Sequence, residues 1–331
     1  MKNYHDLLER ILNKGRLQYN ERTKSECRVL TGEMIKFDVS EYLPAVTTRK
    51  LYLKSTIGEQ VGFFRGLTSA KDFRDLGCPF WDMNANQTKA WLENPTRKGQ
   101  DDVGYVYGAI WNNWETYKFI PASLENELMV NALLKKDWIC VSSNYIDCET
   151  IGEPGVYYIL QKQINQLEEV VRKIMTEPTD RRIIVSAWDP GQYDFQSLPA
   201  CHMSYTFTPF TEDKTIDIGV HLRSNDVWLG LPANVINTTV FLYTVCRLTG
   251  YKPGNVTVFM DNAHLYDNSY EEVRELLKRE HRELPKLELS ENIQQLTSLD
   301  QIPGCFKNIL PSDYIVTGYN PDAPIKVAMK A

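Results

Sequence analysis

The chain has 331 residues, 43% of them hydrophobic and 24% charged, with a formal charge of −6. Length alone leaves one body or two domains open, while the acidic balance argues against a surface that tracks nucleic-acid phosphates. Met1-Lys2-Asn3-Tyr4-His5-Asp6 has no apolar signal segment, and no apolar run is long enough to cross a bilayer, so a cytoplasmic protein without a membrane partner is expected.

Tyr4, Leu7, Leu8, Ile11 and Leu12 recur at helical spacing and predict an amphipathic helix ending before Gly15. A polar turn with Arg22 follows, then Val29-Leu30 and Met34–Phe37 read as strands. Ser55 to Phe64 reads as a helix carrying Glu59 among Ile57, Val61, Phe63 and Phe64. A carboxylate there lies either on an exposed stripe or in an apolar pocket, where desolvation raises its pKa toward the range of a general acid. The aromatic clusters around Trp81 and Tyr107 read as core. From Glu115 to Gly155 the rhythm of the neighbouring sequence is lost, and this segment reads as an insertion, with Ser123 placed to cap a helix through Leu128, Leu133 and Leu134.

Ile159, Leu160, Ile164, Leu167, Val170, Val171 and Ile174 form a helical stripe closed by Pro178. Strands are predicted over Arg182–Trp188, His202–Phe207 and Ile216–Leu222, the last in strict alternation. An apolar helix over Pro232–Thr249, a strand over Val256–Met260, and a helix through Leu277 with a Ser269/Glu272 capping box follow. Short strands and turns occupy the chain from Pro285 onward. One α+β body is expected. The seven cysteines are scattered and lack a C-x-x-C pair, which fits reduced thiols and gives no metal framework.

Chemistry concentrates between Asp180 and Asn234. Asp180-Arg181-Arg182 precedes an apolar strand, Pro199-Ala200-Cys201-His202 sits at the centre, and Arg223-Ser224-Asn225-Asp226 leads into Leu229-Gly230-Leu231-Pro232-Ala233-Asn234. One cysteine among several arginines is what presenting a nucleophile to a phosphorylated ligand requires. With His264-Leu265-Tyr266 and Gly318-Tyr319-Asn320-Pro321, these motifs resemble the thymidylate synthase family, which includes the phage pyrimidine hydroxymethylases. The resemblance covers nearly the whole chain apart from the 115–155 segment, and implies a single-domain fold with a large mixed or antiparallel sheet at a dimer interface, packed with helices.

The chemistry accounts for these residue types. A pyrimidine C5 is a poor nucleophile, and addition of a thiolate to C6 makes it enolate-like and able to attack a one-carbon electrophile. By resemblance, Cys201 adds to C6, with Arg223 favouring its thiolate. The nucleotide phosphate is held by Arg22, Arg223 and Ser224, with Arg181 and Arg182 reaching in from a second subunit of an obligate homodimer. His264 and Tyr266 bind the sugar hydroxyl, and His202 adjoins the nucleotide. Asn234 reads the base: its amide accepts from N3–H and donates to O4, the uracil pattern, which favours dUMP over dCMP. Glu59 moves protons at the ring, and Tyr107 lines the site. Asp226, Trp81, Asn84 and Arg49 face the implied cofactor, 5,10-methylenetetrahydrofolate.

The fate of the transferred carbon separates a synthase, which delivers hydride and excludes water, from a hydroxymethylase, which admits water. Leu222 stands where synthases have a glutamine, Asn84 replaces a tryptophan, Asn262 an aspartate, and Gly58 and Gly62 a histidine and a tryptophan flanking Glu59. Val327-Ala328-Met329-Lys330-Ala331 lacks the large aliphatic last residue that closes synthases over their ligands. Smaller residues around the folate and a weaker lid lead to the expectation of a dUMP hydroxymethylase, with thymidylate synthase as the alternative. His202 and Trp81, retained as in synthases, point the other way. A dCMP hydroxymethylase and a nucleotide-binding homologue without turnover are further alternatives.

Overall fold

In a computed structural model, which describes residues 1–21, 23–146 and 154–329, the chain is organised around a seven-stranded mixed sheet. Its order is Arg16–Asn20, Ser25–Asp38, Lys252–Tyr266, Thr215–Leu222, His202–Phe210 and Ile184–Ser186, with the short strand Asn225–Asp226 also paired to Lys252–Tyr266. Lys252–Tyr266 pairs in parallel with Thr215–Leu222 and Asn225–Asp226; the other pairings are antiparallel. The expected α+β architecture with a large mixed sheet is therefore present, and the two fragments at Val29 and Met34–Phe37 belong to one long strand.

The strict alternation of Thr215–Leu222 sorts the two faces of the sheet. Ile216, Ile218, Val220 and Leu222 are buried, together with Val256, Val258, Met260, Ile35 and Phe37 of the adjoining strands. Against this face pack the Lys2–Lys14 helix, whose apolar side is Tyr4, Leu7, Leu8 and Ile11, and the Gly230–Thr249 helix, buried almost all round. A helix apolar on all sides is what a central position requires. The opposite face carries Met34, 56% exposed, and Phe259, 44% exposed, paired in register, with Ile184 and His221 on the same face.

Two expectations are corrected. Residues 159–164 are not helical: Gly155–Ile164 is the central strand of a separate antiparallel sheet with Trp114–Pro121 and Ile139–Ile146, and the helix starts only at Gln166, capped by the Asn165 side chain on Glu168 N at 3.1 Å. Tyr157 and Leu160, three residues apart, are its buried positions, and the partner strand shifts register between Cys140 and Ser142, opposite Leu160 and Ile159. Burial at a spacing of three departs from the period-two signature of a strand and resembles a helical stripe. The Ser269/Glu272 capping box is also absent. Ser269 lies at the end of a 3₁₀ turn with helical backbone, and its hydroxyl donates back to Tyr266 O at 2.7 Å rather than accepting from the next turn.

The segment read as an insertion holds the outer strands of this small sheet and the Leu124–Leu134 helix, with Ser123 at its N-cap but no side-chain cap bond. Its own small core is Ile120, Val130 and Leu160. Among the described residues no helix is long and apolar enough to cross a membrane.

Candidate active site

Sheet pairing places the central cysteine. His202 opposes Leu222, and the contact continues one step beyond the strand ends, where Arg223 N donates to Cys201 O at 3.1 Å. The Arg223 side chain then folds back on the loop before Cys201: Nε donates to Ala200 O and Nη2 to Pro199 O, each at 2.9 Å, and Nη2 lies 3.9 Å from Cys201 Sγ. The guanidinium thus holds the backbone that presents the thiol and places positive charge beside the sulfur. Its other face rests over the Trp188 ring at 5.4 Å.

Tyr107 approaches from the opposite side. Its backbone has φ +33°, a strained value for a residue with a side chain. Its phenol oxygen accepts from Cys201 N–H at 2.8 Å. Gly108 makes this approach possible, because a Cβ there would sit 2.1 Å from Phe63 O. Burial, with the Cys201 sulfur next in importance, pushes the Tyr107 hydroxyl well above its ordinary pKa, so it remains a phenol with a proton to donate.

Glu59 projects from the Leu53–Phe64 helix into the same space. Trp81 Nε1 donates to its Oε1 at 3.1 Å and Asn237 Nδ2 to its Oε2 at 2.8 Å. Burial raises its pKa to about 7, against the opposing pull of these two donors. Of the two readings of Glu59, the apolar pocket is the one found. His202 is buried, paired with Tyr205 Oη through Nδ1 at 3.0 Å, and burial lowers its pKa to about 4 despite a contact with Asn234, so it is neutral near pH 7. Asn234 itself lies in the first turns of the Gly230–Thr249 helix.

A second group forms where Asn225–Asp226 pairs with Ala263 and His264. Asp226 Oδ1 accepts from Trp228 N at 2.9 Å and Leu229 N at 3.1 Å, and burial raises its pKa while these bonds, His264 and Arg49 oppose the rise. Arg49 is buried, donates to Trp228 O, and stacks over the Trp228 ring at 4.4 Å. His264 contacts Asn262 Oδ1 through Nδ1 at 3.0 Å, and the Tyr266 ring packs edge-on to it at 5.1 Å. Asn84 lies in the short Asp82–Asn86 helix directly after Trp81, and Ser224 is half-buried beside Arg223.

Three candidates stand apart. Arg22 lies outside the described residues. Arg181 and Arg182 are exposed, Arg182 with 81% of its side chain, paired to Asp180 at 2.9 Å. Ile184 pairs with Thr206, five residues from Cys201, which at about 3.3 Å per residue puts both arginines roughly 20 Å from the sulfur of their own chain.

The sequence reading missed two contributors. Asn237, one helical turn beyond Asn234, is fully buried and bonded to Glu59; its signal was an amide three positions from a site residue in a mostly apolar helix. Phe73 fills the space opened by Gly62, where a Cβ would come within 2.2 Å of its ring, and it stacks on Trp81 at 5.8 Å. At Gly58 a Cβ would lie 2.4 Å from Leu76 O. The two glycines therefore accommodate a neighbouring helix and loop packed against them; they do not open a path for water. Among the described residues no group of three His, Cys, Asp or Glu could hold a metal ion.

A family model described as "Thymidylate synthase" matches residues 2–331. The chain is 39% identical over 331 residues to proteins named thymidylate synthase from Pseudomonas putida and Bordetella parapertussis, covering 99% of each chain. It is 33% identical over 328 residues to another so named from Idiomarina loihiensis, covering 98% of each.

Proposed function

Because this chain belongs to the thymidylate synthase family of folate-dependent one-carbon transferases, we propose that it is itself a thymidylate synthase, making dTMP and dihydrofolate from dUMP and 5,10-methylenetetrahydrofolate. The relatives' shared name carries the choice of synthase over the hydroxymethylase expected from the sequence. The filled space at Gly58 and Gly62 agrees with it, since a synthase must keep water from the reacting carbon.

In this reading the Cys201 thiolate adds to C6 of the uracil ring, held in place by Arg223 and by the bond from its own N–H to Tyr107. Asn234 takes N3–H and O4, and neutral His202 steadies that end of the pocket. Glu59, poised near neutrality, relays protons to O4 and from C5. Arg223 has Nη1 left for the nucleotide phosphate, joined by Ser224 and Arg22; His264 and Tyr266 take the sugar hydroxyl.

The residues also suit a reduced folate. The bonds to Asp226 from its own loop fall on Oδ1. Next to it the buried Asn225 amide has neither polar atom hydrogen-bonded among the described residues, a cost of about 1–3 kcal/mol per atom that a polar ligand would relieve. Asp226, Trp81, Asn84 and Arg49 would hold it, and when bound it supplies the one-carbon unit and the hydride that reduces it.

Family members act as homodimers, and here the sheet face bearing Met34, Phe259 and Ile184 is the proposed interface. Arg182 lies on that face by alternation from Ile184, so it and Arg181 would reach the phosphate bound by the other copy, which accounts for their distance from Cys201 in one chain.

Incubating the protein with dUMP and the folate, then analysing both products, tests the assignment. dTMP with dihydrofolate is expected, with dCMP left unchanged. 5-Hydroxymethyl-dUMP with tetrahydrofolate would overturn the synthase reading in favour of water capture.

A further inference from the structure

The Glu59 carboxylate is gripped at both oxygens. Trp81 offers an indole N–H, a donor only, and is stacked against Phe73 and packed edge-on to Phe63 at 6.0 Å, so its position is fixed by the core. Asn237 offers a carboxamide that is both donor and acceptor. It is fully buried in the Gly230–Thr249 helix, its Nδ2 is 2.8 Å from Glu59 Oε2, and its Oδ1 has no hydrogen-bond partner among the described residues. A buried carbonyl with no partner is costly, and an apolar side chain of similar volume would suit this apolar helix better unless the amide served a neighbour.

We propose that Asn237 is a positioning residue for the reaction: its amide holds the Glu59 carboxylate toward the pyrimidine pocket and sets how readily that group parts with its proton. This rests on the reading of Glu59 as the proton carrier. While Glu59 is ionised, Nδ2 donates a charge-assisted bond. Once Glu59 is protonated, the amide turned over accepts from its hydroxyl through Oδ1, and since Oδ1 has no bond to lose, the turn sacrifices nothing on that side. The charge-assisted bond is the stronger of the two, so the net effect favours the ionised form and opposes burial. Trp81 cannot follow the proton in this way.

The test reads Glu59 without turnover. In protein carrying isotope-labelled tryptophan, the Trp81 indole N–H resonance, identified by its loss in Trp81→Phe, reports the charge on the carboxylate it donates to. In the parent it should titrate with a midpoint near pH 7. In Asn237→Leu the midpoint should rise by about one pH unit, and the acid limb of kcat/KM should move up with it. Asn237→Asp, nearly isosteric, sets a second acid against the first, so the pair shares a proton and the upper midpoint also rises; it carries the test if the leucine variant does not fold. An unchanged midpoint in either folded variant would overturn the proposal. Because the resonance needs no catalysis, it stands or falls separately from the identity of the products.

Discussion

Replacing Cys201 by serine is expected to reduce turnover by on the order of 10⁴-fold or more while nucleotide binding and fold survive, measured as dTMP formed per active site. The argument is about ionisation and place. Near neutral pH a serine hydroxyl is almost wholly protonated, and none of the described residues of this pocket is arranged to take its proton: Arg223 is a cation, Tyr107 a phenol that keeps its own, Glu59 is bonded to Trp81 and Asn237, and His202, held near 4 by burial, is paired with Tyr205 and Asn234. Cysteine needs no such base, only a positive neighbour, and Arg223 Nη2 lies 3.9 Å from its sulfur. Serine keeps the backbone N–H that Tyr107 accepts and the carbonyl that Arg223 N donates to, so the loop should stay where it is.

The second large effect is expected at Glu59. Glu59→Gln keeps the shape of the side chain but cannot exchange a proton, and should lose about 10²- to 10⁴-fold in kcat, or about 3 to 5 kcal/mol of barrier. The pH dependence gives the sharper signature. Burial holds the parent carboxyl near 7, so its ionised form predominates above that pH and is lost as pH falls through it. Activity of the parent should therefore decline on the acid side through about pH 7, and that limb should vanish in Glu59→Gln. A glutamine variant with the same limb would assign the titration to another group; buried His202, near 4, is too acidic to replace it.

Much of this site was legible because it is built from strand ends and one helix start, where local patterns and tertiary placement agree. The alternation of Ile216, Ile218, Val220 and Leu222 locates the sheet's inner face, and the residues just past it, Arg223 to Asp226, necessarily fall together at one sheet end beside Cys201. Glu59 was ambiguous, since a helix with a carboxylate among apolar residues says nothing about which side faces the core. The structure resolves it through Trp81, distant in sequence, and Asn237, more distant still.

What stayed hidden depends on contacts between remote segments. Gly58 and Gly62 looked like gaps because small residues reveal what they lack; that Leu76 and Phe73 occupy the space is decided by the packing of another helix. The Ile159–Ile164 strand was masked by burial at a spacing of three, Tyr157 and Leu160, and Ser269 was diverted from its cap by the turn preceding it. The separation of Arg181 and Arg182 from Cys201 follows from antiparallel register, which no local pattern contains.

Transient bonding of one sulfur to the pyrimidine ring is the premise on which every assigned role depends. Mass mapping of the protein after incubation with 5-fluoro-dUMP and methylenetetrahydrofolate measures it directly. A covalent adduct carrying both ligands on the peptide that contains Cys201, absent in Cys201→Ser, is the predicted result. Full turnover of dUMP with no adduct, or an adduct on a different residue, would contradict it.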